Sequence, residues 1–197
     1  MSIPVHPALW RGGCPAMPER SLPTGFAALD ACLGGGWPLG SLTEILYRHE
    51  GIGEISLLLP SLAAISRENR WIIWIAPPYL PYPPALARSR MQLSRLLWIE
   101  GGRDDETWWA LEQSLQSRDC GAVLFWQGVR THGQWRRLQH AVVRGGSFAV
   151  WLHPADLPGA FVPALRLGLE PAAQESLLVH VLKRRGGWAS GPVVITP

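Results

Sequence analysis

One stretch of this chain, residues 41–59, constrains the fold more than any other, and it reads SLTEILYRHEGIGEISLLL. It begins with an apolar run, continues through a turn that contains glycines, and ends in a second apolar run. This order predicts a buried strand, a tight turn and the start of a helix. The same backbone arrangement forms phosphate-binding loops, in which N–H groups at a helix N-terminus hold an anion.

The side chains that a working phosphate loop needs are missing from this turn. A functional loop follows the pattern GxxxxGK[ST], in which the lysine and the hydroxyl bind phosphate and Mg²⁺. If Gly53 is the second glycine, Glu54 takes the lysine position and Ile55 the hydroxyl position. A carboxylate there reverses the charge that a phosphate would meet. An ordinary strand–turn–helix is the alternative interpretation. The positions predicted to form a degenerate nucleotide loop are Arg48, Gly51, Gly53, Glu54, Ile55 and Ser56.

Composition indicates one folded domain. The chain has 197 residues, of which 47% are hydrophobic and 17% charged, so it can bury a sizeable core. We expect residues 1–20, rich in proline and glycine, to form a flexible arm, and residues 21–197 to form the core domain. The three cysteines match neither a disulfide framework nor a zinc spacing, and no apolar run is long enough to span a bilayer. These features predict a cytoplasmic protein without a metal, a cofactor or a membrane partner.

Periodicity predicts alternating strands and helices. Further parallel strands are expected at residues 71–76, 95–99, 121–126 and 147–152. Helices are expected at residues 26–33, 55–65 (with an irregularity at Pro60), 85–90, 107–115 and 134–144. From Ala164 onward, apolar and polar residues alternate, which is typical of antiparallel strands. The predicted fold is therefore α/β.

The stretch Leu22–Leu46, LPTGFAALDACLGGGWPLGSLTEIL, resembles the start of the RecA core. Together with HPALWRGG at residues 6–13, its LPTG, GGGWP and LTEIL segments resemble the ImuA family of RecA-like accessory proteins. The resemblance implies a RecA-like, mostly parallel twisted sheet flanked by helices, with antiparallel C-terminal strands and a degenerate P-loop. It also implies that catalytic groups are absent, because Pro77 stands at the catalytic glutamate position and Trp126-Gln127 stand where the metal-organising aspartate is expected.

The ImuA resemblance implies a non-catalytic adaptor of a bacterial mutagenic translesion DNA synthesis complex in the SOS response. Its partners would be RecA, the Y-family-like ImuB and a DnaE-type error-prone polymerase. The second hypothesis is a SulA-like cell division inhibitor that binds the tubulin-like FtsZ, because WIIWIAPP at residues 71–78 resembles that family as well. The third is a surviving ATPase that uses Ser56 and an arginine in place of the missing lysine.

Basic and aromatic residues are the candidates for contact with a partner protein, with single-stranded DNA or with a second copy of the chain. For the basic residues, a solvated helix face or hairpin turn is the alternative, and for tryptophans such as Trp37 and Trp188 it is packing. His153 is expected to be a packed residue, because the histidines show no metal-ligand spacing. The predicted contact residues are Trp10, Arg136, Arg137, Arg144, Lys183, Arg184 and Arg185.

Overall fold

A computed structural model describes residues 20–155, 161–174, 176–187 and 190–196. The helices are α1 (Ala27–Leu33), α2 (Glu54–Arg67), α3 (Pro83–Arg88), α4 (Asp104–Gln116) and α5 (His132–Gly145). The strands are β1 (Ser21–Leu22), β2 (Trp37–Pro38), β3 (Ser41–Tyr47), β4 (Trp71–Ile75), β5 (Leu96–Ile99), β6 (Cys120–Phe125), β7 (Phe148–Pro154), β8 (Leu165–Pro171), β9 (Leu177–Arg184) and β10 (Ser190–Ile195).

The fold is built around an eight-stranded sheet, whose strands lie in the order β10-β9-β8-β3-β7-β6-β4-β5. The strands from β8 to β5 in this order pair in parallel, whereas β8, β9 and β10 form an antiparallel meander. The strand β8 belongs to both parts, because it is parallel to β3 and antiparallel to β9. The prediction of a mostly parallel sheet with antiparallel C-terminal strands is therefore confirmed.

The central strands are continuous apolar runs because helices cover both of their faces. Every residue of β6 is buried, and so are all residues of β4 except Trp71. The predicted strand 71–76 ends one residue early, since Ala76 has a φ of 51° and leaves the extended conformation. Similar shifts of a few residues separate the other predicted and observed boundaries, as expected where caps rather than periodicity fix an end.

Local capping explains why α5 is longer than predicted. The Gln134 backbone N–H donates to Thr131 Oγ1 at 3.1 Å, and the Thr131 N–H donates to Gln134 Oε1 at 3.1 Å. This capping box starts the helix before the apolar periodicity becomes visible. At the other end, Gly146 has a φ of 71° and donates to the Val142 carbonyl, which terminates the helix.

Two apolar clusters lie on opposite faces of the sheet. The first is formed with α1, α2 and α3, and it extends along the meander strands through residues such as Leu167 and Val179. The second is formed with α4 and α5 around Phe125, Trp135 and Trp151. Because β3 contributes to both clusters, side chains that alternate along it point to different helical layers.

Trp37 is a core residue rather than a partner anchor. It is fully buried, and its ring stacks on Phe148 with 5.3 Å between centroids. Its indole N–H donates to Ser61 Oγ at 2.9 Å, and the Ser61 hydroxyl donates to the Pro23 carbonyl at 2.8 Å. These bonds fix the segment before β3 on α2. The packing interpretation is thus confirmed for Trp37, while Trp10 and Trp188 lie outside the described residues.

Within the described ranges, no helix has the length and apolar character needed to cross a bilayer. The histidine, cysteine and acidic side chains of those ranges also form no group of three or more that could hold a metal ion. The arm predicted for residues 1–20 lies outside the described part of the chain except for Arg20.

Candidate functional site

The carboxyl edge of the parallel sheet brings together the segments that sequence reasoning singled out. The loops that follow β3, β4 and β6 leave the sheet at this edge, because parallel strands end on the same side. In open α/β sheets this edge is where ligands and partners are commonly bound. The relevant segments are the glycine turn at residues 48–53, the proline-rich loop at residues 76–82 and the segment that starts at Trp126.

The glycine turn holds a carboxylate of its own chain. Gly51 and Gly53 have φ values of 77° and 114°, and both direct their N–H groups inward. The Gly51 N–H donates to Glu54 Oε1 at 3.0 Å, and the Gly53 N–H donates to Glu54 Oε2 at 3.1 Å. Glu54 is buried at the N-terminus of α2, where the helix dipole favours a negative charge. The Glu54 carboxylate therefore occupies the backbone donors of this turn.

The surroundings of this turn are acidic. Burial, followed by the charges of Glu50 and Glu54, raises the pKa of the Tyr47 hydroxyl well above its ordinary value. Arg48, the nearest cation in the sequence, is exposed, and Ile55 and Ser56 are half-buried on α2. An incoming phosphate would thus meet carboxylates rather than a cation.

Neither β4 nor β6 is followed directly by an acidic residue. Pro77 follows β4, and Trp126 and Gln127 follow β6. Trp126 packs on Trp74 with 5.9 Å between ring centroids, and the Gln127 amide donates to Asp104 Oδ1 at 3.3 Å. These contacts are structural, since they join neighbouring elements.

The loop after β4, which we call the aromatic loop (residues 77–82, PPYLPY), presents large apolar side chains to solvent. The exposed fraction is 70% for Tyr79, 72% for Leu80 and 66% for Tyr82. The Glu50 carboxylate, acting as a hydrogen-bond acceptor and as a nearby charge, raises the pKa of the Tyr79 hydroxyl. Glu50 of the glycine turn therefore lies near the aromatic loop. Sequence reasoning missed this surface, although its prolines and aromatics were visible as a signal.

A second cluster missed from the sequence lies in the middle of the sheet. Glu44 on β3 is fully buried, and its carboxylate accepts from His153 Nε2 at 2.9 Å and from Arg166 Nε. The other ring nitrogen of His153 lies 3.0 Å from the Pro154 carbonyl, and the Arg166 guanidinium also donates to the Phe161 carbonyl at 2.7 Å. This buried triad (Glu44, His153 and Arg166) joins three neighbouring strands. His153 is packed, as predicted, but as part of a charged network.

The structure places the predicted basic contact residues in different environments. Arg137 forms a bidentate pair with Glu112, with both N–O distances at 2.5 Å. Arg184 donates to the Cys32 carbonyl of α1 at 2.8 Å, so it serves packing. Arg136, Arg144 and Arg185 are exposed, and Lys183 is half-buried and donates to the Pro163 carbonyl. Of this set, only Lys183 and Arg185 line a common groove.

Comparison with known proteins identifies the family. The family model of cell division inhibitor SulA matches residues 40–149, which is more than half of the chain. The SulA protein of Pectobacterium carotovorum subsp. carotovorum (strain PC1) is 26% identical over 121 residues, which is 61% of this chain and 72% of that protein. The SulA of Serratia marcescens is 24% identical over 115 residues, with 58% and 68% covered. The SulA of Pectobacterium atrosepticum is 27% identical over 116 residues, with 58% and 69% covered.

These matches overturn the ImuA assignment, and with it the predicted role in translesion synthesis and the partners RecA, ImuB and the DnaE-type polymerase. The segments HPALWRGG, LPTG and GGGWP precede residue 40, so they lie outside the segment that the family model matches. The family is described as an inhibitor, in agreement with the expectation of a protein that is not an enzyme. The second of the three sequence hypotheses named the right family: the chain belongs to the SulA family of cell division inhibitors.

Proposed function

We propose that this protein inhibits cell division by binding the tubulin-like protein FtsZ, with the aromatic loop as the main contact. The family assignment supports the inhibition of cell division. The single observation that supports the aromatic loop as the contact is the exposure of Tyr79, Leu80 and Tyr82. The whole loop lies inside the matched segment 40–149. Inhibition of this kind requires binding in stoichiometric amounts and no turnover.

The chemistry of the aromatic loop suits a protein interface. Tyrosine is enriched among residues whose truncation weakens binding most, because it buries a large area and also offers a polar hydroxyl. The prolines at residues 77, 78 and 81 fix φ, so the loop loses little conformational entropy when a partner covers it. A rigid apolar loop therefore binds at a lower entropic cost than a flexible loop of the same area.

We also propose that the sheet is of the RecA-like type and that the glycine turn is a degenerate phosphate loop. The parallel order of the strands supports the first proposal. The position of the Glu54 carboxylate on the Gly51 and Gly53 N–H groups supports the second. In this interpretation the protein needs no nucleotide, because an internal carboxylate already satisfies those donors.

The direct test is purified protein added to FtsZ that is assembling with GTP, followed by sedimentation and GTPase rate. The wild type is expected to lower both the amount of sedimented FtsZ and the GTPase rate in proportion to its concentration. Leu80→Ser and Tyr82→Ser are each expected to weaken this effect by about tenfold or more, the size typical of a central interface residue. Both side chains are exposed, so their loss leaves the core intact.

Val194→Ser is the matched control, because Val194 is 61% exposed on β10, outside the matched segment. It should inhibit FtsZ like the wild type. If the wild type has no effect on FtsZ, the proposed function is wrong. If the wild type inhibits but all three variants remain equally active, the function stands and the aromatic loop is not the contact.

A further inference from the structure

A groove of about 410 Å³ lies at the opposite, amino edge of the sheet. It is bounded by the last turns of α5, the start of β3, the segment 162–164 and the end of β9. Its volume is within the range of about 300–1,000 Å³ that is typical of binding clefts. Lys183 and Arg185, on the β9 side, lie outside the segment that the family model matches.

A β-bulge directs these cations into the groove. Along β9, Val181 pairs with Leu167, but Lys183 pairs with Arg166, so Leu182 is an extra residue. A bulge reverses the alternation of side chains that follows it. As a result Arg184 reaches the Cys32 carbonyl on α1, while Lys183 and Arg185 face the groove on the α5 side. Without the bulge, Arg184 would face the groove, and Lys183 and Arg185 would face α1.

The groove combines positive charge with exposed apolar surface. Among the described residues, neither Lys183 nor Arg185 pairs with a carboxylate. Burial, together with the nearby charges of Arg166 and Arg185, lowers the pKa of the Lys183 ammonium, although Glu44 opposes the shift. On the α5 side and along the 162–164 segment, Val143 is 71% exposed and Val162 is 66% exposed.

We propose that this groove binds an acidic, apolar segment of a partner protein, with carboxylates on Lys183 and Arg185 and aliphatic side chains on Val143 and Val162. Carboxylates of the partner would neutralise the neighbouring cations Lys183 and Arg185. The apolar lining would remove valine surface from water. The proposal does not depend on FtsZ being the target, because the groove and the aromatic loop lie at opposite edges of the sheet.

The composition of the groove favours a peptide over other anionic ligands. Nucleic acids are usually bound by several cations that follow the phosphate backbone, whereas this groove offers two cations and an apolar lining. Anionic membranes are likewise bound by larger basic patches. An acidic, apolar peptide is the class of partner that can contact both the cations and the valines of the groove.

The test uses the full-length protein and three fluorescein-labelled peptides of equal length, measured by fluorescence anisotropy. One peptide combines leucine with glutamate, the second leucine with glutamine, and the third serine with glutamate. Only the leucine–glutamate peptide is expected to bind well. Lys183→Gln, Arg185→Gln and Val143→Ser are each expected to weaken its binding by about threefold to fivefold. Amide chemical shifts should change at Val143 and Val162 when it is added.

Arg136→Gln is the matched control, because it removes an exposed cation from α5 outside the groove lining. It should bind the peptide like the wild type. Arg185→Gln keeps the test valid if Lys183→Gln misfolds, since Arg185 is exposed. The proposal is overturned if no peptide binds, or if Arg136→Gln is as harmful as the groove variants. It is also overturned if the serine peptide binds equally well, or if single-stranded DNA or phosphatidylserine vesicles displace the leucine–glutamate peptide.

Discussion

Two buried glutamates, Glu44 and Glu54, are stabilised in different ways. Glu44 lies inside a central strand and is hydrogen-bonded by His153 and Arg166, which are 109 and 122 residues away in the sequence. Glu54 lies at a helix N-terminus and accepts hydrogen bonds from the backbone of Gly51 and Gly53, within three residues of itself. The first carboxylate depends on the completed sheet, while the second depends only on its own turn.

The comparison teaches that burial alone does not set the importance of a charge. A carboxylate held by charged side chains leaves uncompensated partners behind when it is removed, and this is costly in a buried position. A carboxylate held by N–H groups at a turn leaves donors that water can reach more easily. The two glutamates should therefore differ in their contribution to the free energy of unfolding, and the following variants test that difference.

The largest effect is expected for Glu44→Ala. Removing this carboxylate leaves His153 Nε2 and Arg166 Nε without their acceptor in a buried site, which should lower the free energy of unfolding by about 3–5 kcal/mol. Denaturant unfolding followed by circular dichroism measures it. The triple variant Glu44→Leu, His153→Leu, Arg166→Met should recover most of the loss, because no charge of the triad then remains. A loss below about 1 kcal/mol for Glu44→Ala would show that the triad is dispensable.

Glu54→Ala should cost less, about 1–2 kcal/mol, the usual cost of losing a helix N-cap interaction. Glu54→Gln keeps an acceptor oxygen and should recover part of this. Added inorganic phosphate is expected to stabilise Glu54→Ala more than the wild type, because the freed N–H groups at the helix N-terminus can bind it. If phosphate stabilises the two proteins equally, the turn does not contain an anion-binding site that Glu54 occupies.

A third buried carboxylate, Glu112, extends the comparison to a pair whose cation lies at the surface. Its bidentate partner Arg137 has a side chain that is 68% exposed. Arg137→Gln should therefore cost about 0.5–1 kcal/mol, and the cost should shrink as salt is added. A cost that salt leaves unchanged would indicate that the arginine contributes through packing rather than charge.

The smallest effect is expected at the Arg103–Asp105 pair, where both side chains are more than two-thirds exposed and lie 3.4 Å apart. Arg103→Gln should change the free energy of unfolding by less than about 0.5 kcal/mol. The same denaturant curves measure it. A larger loss would mean that exposure is a poor guide to the ranking of these ion pairs.

The sequence predicted the parallel strands well, because β4 and β6 are continuous apolar runs whose burial on both faces leaves an unambiguous pattern. It also located the turn before α2, since glycines and a following helix are local features. It did not reveal the buried triad, because pairing of Glu44 with His153 and Arg166 requires the strand order. A glutamate between Thr43 and Ile45 in an apolar strand was nevertheless a signal, because a buried charge needs a partner.

The basic residues show a second limit of sequence reasoning. Lys183, Arg184 and Arg185 were predicted as one basic patch, but a one-residue bulge at Leu182 decides which of them face α1 and which face the groove. The exposure of the aromatic loop likewise depends on how the chain leaves β4, where Ala76 takes a left-handed conformation. Both features are set by tertiary contacts and not by composition.

The position of β3 between β7 and β8 has a consequence for the growing polypeptide at the ribosome. At about 5–20 residues per second, synthesis reaches Arg166 roughly 6–25 s after Glu44 has been added. For most of this interval β3 has neither of its neighbours, since β7 begins only at Phe148 and β8 at Leu165. Its solvated carboxylate then opposes pairing with strands of other nascent chains, as charged gatekeeper residues do. We therefore expect Glu44 to protect the strand from aggregation before it is buried in the finished sheet.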